Sequence, residues 1–368
     1  MGVLAYCCQK ALPLQRMLSQ FVFIGLFFVV LMLGMLWDLG VFSKTTEVEV
    51  TAKQAIKHTA VWFGIGLLMT VAVYFFHGQL HNIATLGDLE RYGMQYRIDL
   101  DLGRGFEVAM AEFSRTSAIS YLSGFLLEYA LSIDNLFVIL LIFQSFKMNG
   151  QNQKRILIWG VIGAVVLRFF FIYLGTEMVS RFAWVMYLFG AFLIYSGFKM
   201  LTAGEDDSFD TVNHPVIRFT RKWFRIWDKN PEETRFFVRN EGLLYVTIPF
   251  LVLIIVDITD VVFAVDSVPA VFGVTTDPYL VFFSNIFAVM GLRSLYFLLG
   301  AGMDQFYSLK YGLSMILVYI GLKMLLEKWA HEYGFNEIHN LLIIIGILAL
   351  SIFWSVWFPK ENMDSPKE

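Results

Sequence analysis

The sequence predicts an all-α, polytopic membrane protein: a bundle of about nine transmembrane helices holding an inverted 3+3 repeat. Three observations carry this. The 368-residue chain is 57% hydrophobic and only 16% charged, where soluble domains run near 25% charged. Nine apolar stretches reach the length a bilayer crossing needs. Two sets of three of those stretches share one ordered pattern of polar residues.

The spans are placed at 20–39, 57–76, 117–146, 156–175, 183–202, 243–272, 279–299, 308–326 and 340–358. They divide the chain into two N-terminal helices with a loop (1–116), a first repeat (117–202), a charged loop (203–242), a second repeat (243–328) and a last helix with its tail (329–368). Phe21–Trp37 is long and has no small-residue cleavage pattern after it, so it reads as a retained span. Cys7 and Cys8 are vicinal and can neither staple the fold nor build a thiolate metal site. The third and sixth stretches have 30 residues each. That is about 45 Å of straight helix against a hydrocarbon core of about 30 Å, so they must tilt, protrude or break. Pro249 and Pro269 favour a break in the sixth. Sixteen Lys and Arg residues fall on one side and eight on the other, which puts the N-terminus outside and the C-terminus in the cytoplasm of a plasma (inner) membrane protein. With a net charge of −3 and basic residues held in short loops, nucleic-acid binding has no electrostatic footing.

The repeat is explicit in the residues. Glu128-x5-Asp134-Asn135 matches Asp260-x5-Asp266-Ser267; Leu167-Arg168-Phe169 matches Leu292-Arg293-Ser294; Tyr195 to Leu201 matches Tyr319 to Leu325. The offsets are 132, 125 and 124 residues, in the same order. Three spans is an odd number, so the second copy is inverted in the membrane. That is the architecture of many secondary transporters, whose sites lie near the midplane at the repeat interface.

Acids in apolar runs are expensive and usually line a site or a pathway. Here they are Glu128, Asp134, Asp257, Asp260 and Asp266, with Asn135, Ser267 and Asn285 as neutral oxygen donors. Oxygen-only donors suit Mg²⁺, Ca²⁺ or Mn²⁺. On regular helices Glu128 and Asn135 share a face, as do Asp260 and Ser267, while Asp134 and Asp266 point about 120° away. An unwound turn would gather all five acids around one ion; otherwise the two faces serve different jobs. Arg168 and Arg293 are expected as ion-pair locks or gates, Lys199 and Lys323 as interfacial residues that snorkel. His77-x3-His81 has helical spacing at the end of the second span and reads as interfacial; His331 and His339 lie on the same side. Phosphate loops, nucleophile elbows and Ser–His pairs are absent, so neither an enzyme nor a tightly bound cofactor is expected.

Phe236-Phe-Val-Arg-Asn-Glu-Gly242, Asp260 to Ala270, Thr276-Asp-Pro278, Ser284 to Phe297 and Leu309-Lys-Tyr-Gly-Leu313 together resemble the TerC integral membrane family, named for tellurium resistance and taking in Alx-like proteins. The resemblance runs from about Ser123 to Trp329. It implies a member of the LysE-like transporter group concerned with manganese efflux or metal homeostasis and, in some members, tellurite resistance. It also implies that Glu128, Asp134, Asn135, Asp260, Asp266 and Ser267 are the metal path. Asp257 stands where the family more usually has Glu, and Ala130 where Ser is common. The expectation is therefore export of a divalent cation, Mn²⁺ foremost, from a midplane carboxylate site, with protons as a candidate coupling ion. A membrane scaffold in stress-response or protein-insertion complexes, docking partners through 203–242, is the alternative. An intramembrane aspartyl protease is disfavoured because the Gly-x-Gly-Asp context is missing.

Overall fold

The computed structural model describes residues 24–25, 27–34, 52–202, 225–227, 235–300, 309–326, 329 and 335–357. Its helices are α1 (Ala52–Leu80), α2 (Leu86–Tyr96), α3 (Phe106–Ser145), α4 (Gly150–Arg181), α5 (Trp184–Thr202), α6 (Ile248–Phe272), α7 (Pro278–Met290), α8 (Leu292–Gly300), α9 (Leu309–Leu325) and α10 (Glu337–Trp357). Six helices among the described residues are long and apolar enough to cross a membrane: Lys53–Leu80, Phe106–Ser145, Gly150–Arg181, Trp184–Thr202, Ile248–Phe272 and Glu337–Ser355. The seventh predicted span is the pair α7 and α8, divided at Gly291, and the eighth is the 17-residue α9. Most of the first predicted span lies outside the described residues, although 27–34 are helical.

The surface is that of a protein solvated by lipid. Phe75, Val166, Phe169, Phe170, Leu350 and Trp354 are exposed, whereas Glu128, Asn135, Arg168, Asp260 and Asn285 are buried. An apolar outside and a partly polar inside satisfy both hydrocarbon and the side chains that hydrocarbon would not solvate. The helix α3 is the axis of the bundle, since its residues enter four separate apolar clusters: Ala109 and Phe113 with Leu89 of α2, Tyr121 and Phe125 with Trp62 of α1, Leu127 and Leu131 with Val268 and Leu317, Leu136 and Phe143 with Val256 and Leu295.

Neither long span breaks. With 40 residues, α3 measures about 60 Å; it begins at Phe106, and its added first turns carry Glu107, Glu112 and Arg115, so the excess protrudes. In α6 the two prolines leave the helix continuous. Pro249 sits in the first turn, where its missing N–H would have had no partner, and Pro269 falls in the last turn before Gly273. The unwound turn, one of the two alternatives the spacing left open, is not there, and the sixth span starts later than the sequence suggests. Leu243–Thr247 form strand β3, which pairs parallel with β1 (Ile226–Trp227) and antiparallel with β2 (Phe237–Asn240). The β2–β3 hairpin turns through Glu241 (φ 51°) and Gly242 (φ 80°), the two left-handed positions a tight primed turn requires. This small sheet is the one β element in an otherwise helical bundle, among the described residues. Most of the remaining 203–242 loop, and with it the proposed docking surface, lies outside them.

The closest helix crossing is α5 on α9. A Cβ built at Gly190 would lie 2.9 Å from the Gly321 carbonyl, and one at Gly197 would lie 2.8 Å from the Ser314 carbonyl and 2.7 Å from a Val318 methyl. Small residues let backbones approach where lipid supplies no hydrophobic drive for association. Gly197→Ala is expected to destabilise the bundle by about 1–3 kcal/mol through overpacking. Gly64→Ala, with nothing within 4 Å of the added methyl, should leave it unchanged; thermal unfolding in detergent separates the two.

Candidate functional site

The buried charges meet where α3, α4, α6 and α7 come together. Glu128 and Asn135 lie on one face of α3, two turns apart; Arg168 reaches in from α4, Asp260 from the middle of α6 and Asn285 from α7. The Arg168 guanidinium is the hub. Its Nη1 donates to Glu128 Oε1 and, at 2.9 Å, to Asn285 Oδ1. Its Nη2 reaches Asp260 Oδ1 at 3.4 Å, a long contact, and Asn135 Nδ2 donates to that same oxygen at 3.2 Å. Asn285 is oriented by its own Nδ2, which donates to the Val281 carbonyl one turn back at 3.0 Å. Two carboxylates facing one guanidinium leave a net negative charge when all three are ionised. Each keeps one oxygen unused: Glu128 Oε2, Asp260 Oδ2 and the Asn135 carbonyl Oδ1 are buried without a hydrogen-bond partner.

The other candidate residues divide. Asp257, one turn before Asp260, lies against α4, where a Cβ at Gly163 would be 2.8 Å from its Oδ1; the glycine makes the room. That Oδ1 is buried and unpartnered. Ser267 is on the Asp260 face two turns further along, also buried with an unpartnered hydroxyl. Asp266 points elsewhere and accepts a hydrogen bond from Ser196 of α5 at 2.7 Å. The two faces of α6 thus have different neighbours, as a regular helix requires, and among the described acids Asp266 stands apart from Glu128 and Asp260. The side chains of Asp134 and Arg293 lie outside the described residues, as do His331, Cys7 and Cys8. Ala130 is packed into the apolar cluster beside Leu127 and Leu131, where it offers nothing to a ligand. Lys323 does not snorkel freely: its Nζ donates to the Gly273 carbonyl at the end of α6, 3.2 Å away, a favourable place for a cation.

Residues 113–363 match the family described as integral membrane protein TerC. The chain belongs to the TerC family. Its relatives include the protein Alx of Photorhabdus laumondii, 38% identical over 91% of this chain and 95% of its own length. Alx of Escherichia coli K12 is 38% identical over 90% and 94%. Both are provisionally described as membrane-bound redox modulators. An uncharacterised membrane protein of Myxococcus xanthus, STKORF319, is 32% identical over 92% and 94%. No solved structure matches.

A second cluster in this TerC protein was missed by reading His77 and His81 as interfacial. At the end of α1 both imidazole Nε2 atoms face Asp277 Oδ2, at 2.9 and 2.8 Å, and the Tyr92 hydroxyl from α2 donates to the same oxygen. Asp277 caps α7: its Oδ1 accepts from the Tyr279 N–H at 2.8 Å and more weakly from Leu280 at 3.4 Å. Burial alone would push the Asp277 carboxyl up, but His81 and His77, by charge and hydrogen bonding, outweigh it and hold the group well below the ordinary carboxylate range. The i, i+4 histidines were legible; their partner lies 196 to 200 residues away and was not.

Removing Arg168 from its cluster would strand two buried carboxylates. Arg168→Gln is expected to destabilise by about 3–5 kcal/mol. Arg168→Gln with Glu128→Gln should cost clearly less than the sum of the two single changes, measured as a double-mutant cycle on thermal unfolding in detergent. Additive losses would mean that the guanidinium holds nothing there.

Proposed function

We propose that this protein exports a divalent metal cation, Mn²⁺ foremost, by alternating access at the Glu128–Asp260 cluster. The observation that carries the reading is the set of unused buried oxygens on Glu128, Asp260 and Asn135, with Asp257 beside them. Charged and amide oxygens left without partners inside a bilayer are costly, and a hard cation is the ligand that would satisfy them together. Arg168 then acts as a tethered counter-ion that fills the cluster between metal ions. Its 3.4 Å contact to Asp260 is the weak arm and opens first, while the pairing with Glu128 holds the side chain in place.

Two further features support a pathway. Ser117, Ser120, Ser123, Glu128, Ser132 and Asn135 are all buried along α3 at near-helical intervals, a stripe of oxygens through the bundle. Ser120 lines a cleft with Thr275, Thr276 and Asn336 at the end where α6 finishes. The inverted repeat, α3–α5 against α6–α9, is supported by reciprocal packing: α3 lies on α7 as α6 lies on α4, and α5 on α9, the exchange a two-fold axis demands. In this reading the cleft faces outward, the N-terminus is extracytoplasmic, and protons returning to emptied carboxylates supply exchange. The redox description of the Alx relatives fits through metal balance rather than thiol chemistry, since the chain's two cysteines are both at its N-terminus.

The test is Mn²⁺ flux in proteoliposomes. Asp260→Asn is expected to lower it by about tenfold or more with the protein still monodisperse, and Gly163→Ala, which crowds Asp257, to lower it less. Wild-type flux from Asp260→Asn would overturn the reading and favour a scaffold, for which the midplane acids are dispensable.

A further inference from the structure

The His77–His81–Asp277–Tyr92 cluster lies well away from the transport cluster. Twelve residues of α6, about 18 Å of helical rise, separate Asp260 from the end of that helix at Phe272. The cluster's chemistry also differs, with two imidazole nitrogens in place of oxygens alone. Three donor atoms converge on one carboxylate oxygen: His77 Nε2, His81 Nε2 and the Tyr92 hydroxyl. An oxygen offers about two lone-pair sites, so the three are more than it accepts comfortably. His77 Nε2 also lies 3.2 Å from the Tyr92 hydroxyl.

The geometry points to a binding site for a borderline divalent transition metal of the Zn²⁺ class, held by His77 Nε2, His81 Nε2, Asp277 Oδ2 and the Tyr92 oxygen. In a tetrahedral site with bonds near 2.0–2.1 Å, ligand atoms lie about 3.3 Å apart. The nitrogen–oxygen separations of 2.8 to 3.2 Å need to open by up to about half an ångström, and the short Tyr92–Asp277 contact by more. The surroundings hold the ligands in place. Asp277 Oδ1 is fixed by two backbone N–H groups of α7. The His77 ring stacks on Phe113, and the His81 ring is walled by Tyr92, Tyr96 and Tyr279. Such support is what orients metal-bound imidazole and carboxylate.

Binding requires each histidine to carry its proton on Nδ1. For His77 that leaves a buried N–H without an acceptor, a cost the metal bonds must outweigh. His77 and Asp277 have side chains only 1% and 0% exposed, whereas His81 is 11% exposed and gives the ion its way in. Imidazole donors favour Zn²⁺, Co²⁺, Ni²⁺ or Cu²⁺ over Mn²⁺, so this site would not compete for the transported ion. A bound metal would tie α1 and α2 to the start of α7.

The experiment uses the full chain in detergent, with Cys7→Ser and Cys8→Ser to remove the thiols, stripped of metal and then given Zn²⁺ or Mn²⁺. The expected result is one Zn²⁺ retained per chain, a rise in thermal midpoint of several degrees from binding the folded state, and no such rise with Mn²⁺ at equal concentration. Co²⁺ in place of Zn²⁺ should show the visible absorption of a tetrahedral site. His81→Gln, chosen because His81 is the least buried of these ligands, should weaken Zn²⁺ binding by about tenfold or more; Asp260→Asn should leave it intact. Equal Zn²⁺ binding by the parent and His81→Gln, or loss in Asp260→Asn, would overturn the assignment and leave a hydrogen-bonded lock.

Discussion

A guanidinium between two carboxylates in the centre of an apolar bundle is the constraint on which the other packing depends. Isolated, each of these charges would cost several kcal/mol to hold in a low-dielectric interior. They are tolerable only when α3, α4 and α6 are in register, because Glu128, Arg168 and Asp260 come one from each helix. A slip of one residue on any helix swings its charge by about 100° into lipid or an apolar neighbour. The pairing thus works as a register device, and Asn285 extends it to α7. Stability is not the reason to keep such a group, since apolar side chains of equal size would pack at least as well.

Glycine placement serves the same end by a different route. Gly163 opens space for the Asp257 carboxylate, while Gly190, Gly197 and Gly321 remove side chains so that α5 and α9 touch backbone to backbone. The first creates a polar niche; the second creates a seam with no room for adjustment. In a rocking transporter the α5–α9 seam is the natural pivot, since it has little side-chain freedom to lose.

Hydropathy located the helices well because the bilayer imposes both length and polarity on a span. It placed the edges less well where another rule takes over. Leu243–Thr247 are as apolar as the first turns of α6, yet a two-residue turn at Glu241–Gly242 pairs them with Phe237–Asn240 before Pro249 can start the helix. Spacing alone set Glu128 with Asn135 on one face of α3 and Asp260 with Ser267 on one face of α6, and Arg168 touches both Glu128 and Asp260. Spacing could not show that Asp266 turns to Ser196, since that depends on which helix lies opposite. Of tilt, protrusion and break, the break that the prolines favoured is absent in α6: Pro249 sits in the first turn, where its missing N–H has no partner to lose, and the helix runs on through Pro269. Most of what was hidden is long-range. Asp277 and its histidines are separated by nearly two hundred residues, and no periodicity joins them.

The two clusters differ in what they leave unsatisfied, and that difference bears on their roles. In the Glu128–Arg168–Asp260 cluster acceptors outnumber donors: carboxylate and amide oxygens share a single guanidinium, whose Nε is itself without a partner. An oxygen-rich surplus suits an ion that must be bound, partly dehydrated and released. At the α7 terminus the surplus is of donors around one oxygen, fixed by aromatic walls and backbone caps. A rigid nitrogen-bearing shell binds tightly and releases slowly, which is poor design for cargo and good design for a clamp. Under the proposed roles a harder ion passes through the centre while a softer one holds the end of the bundle in shape. The separation follows from ligand chemistry, because neither donor set would serve well in the other's place.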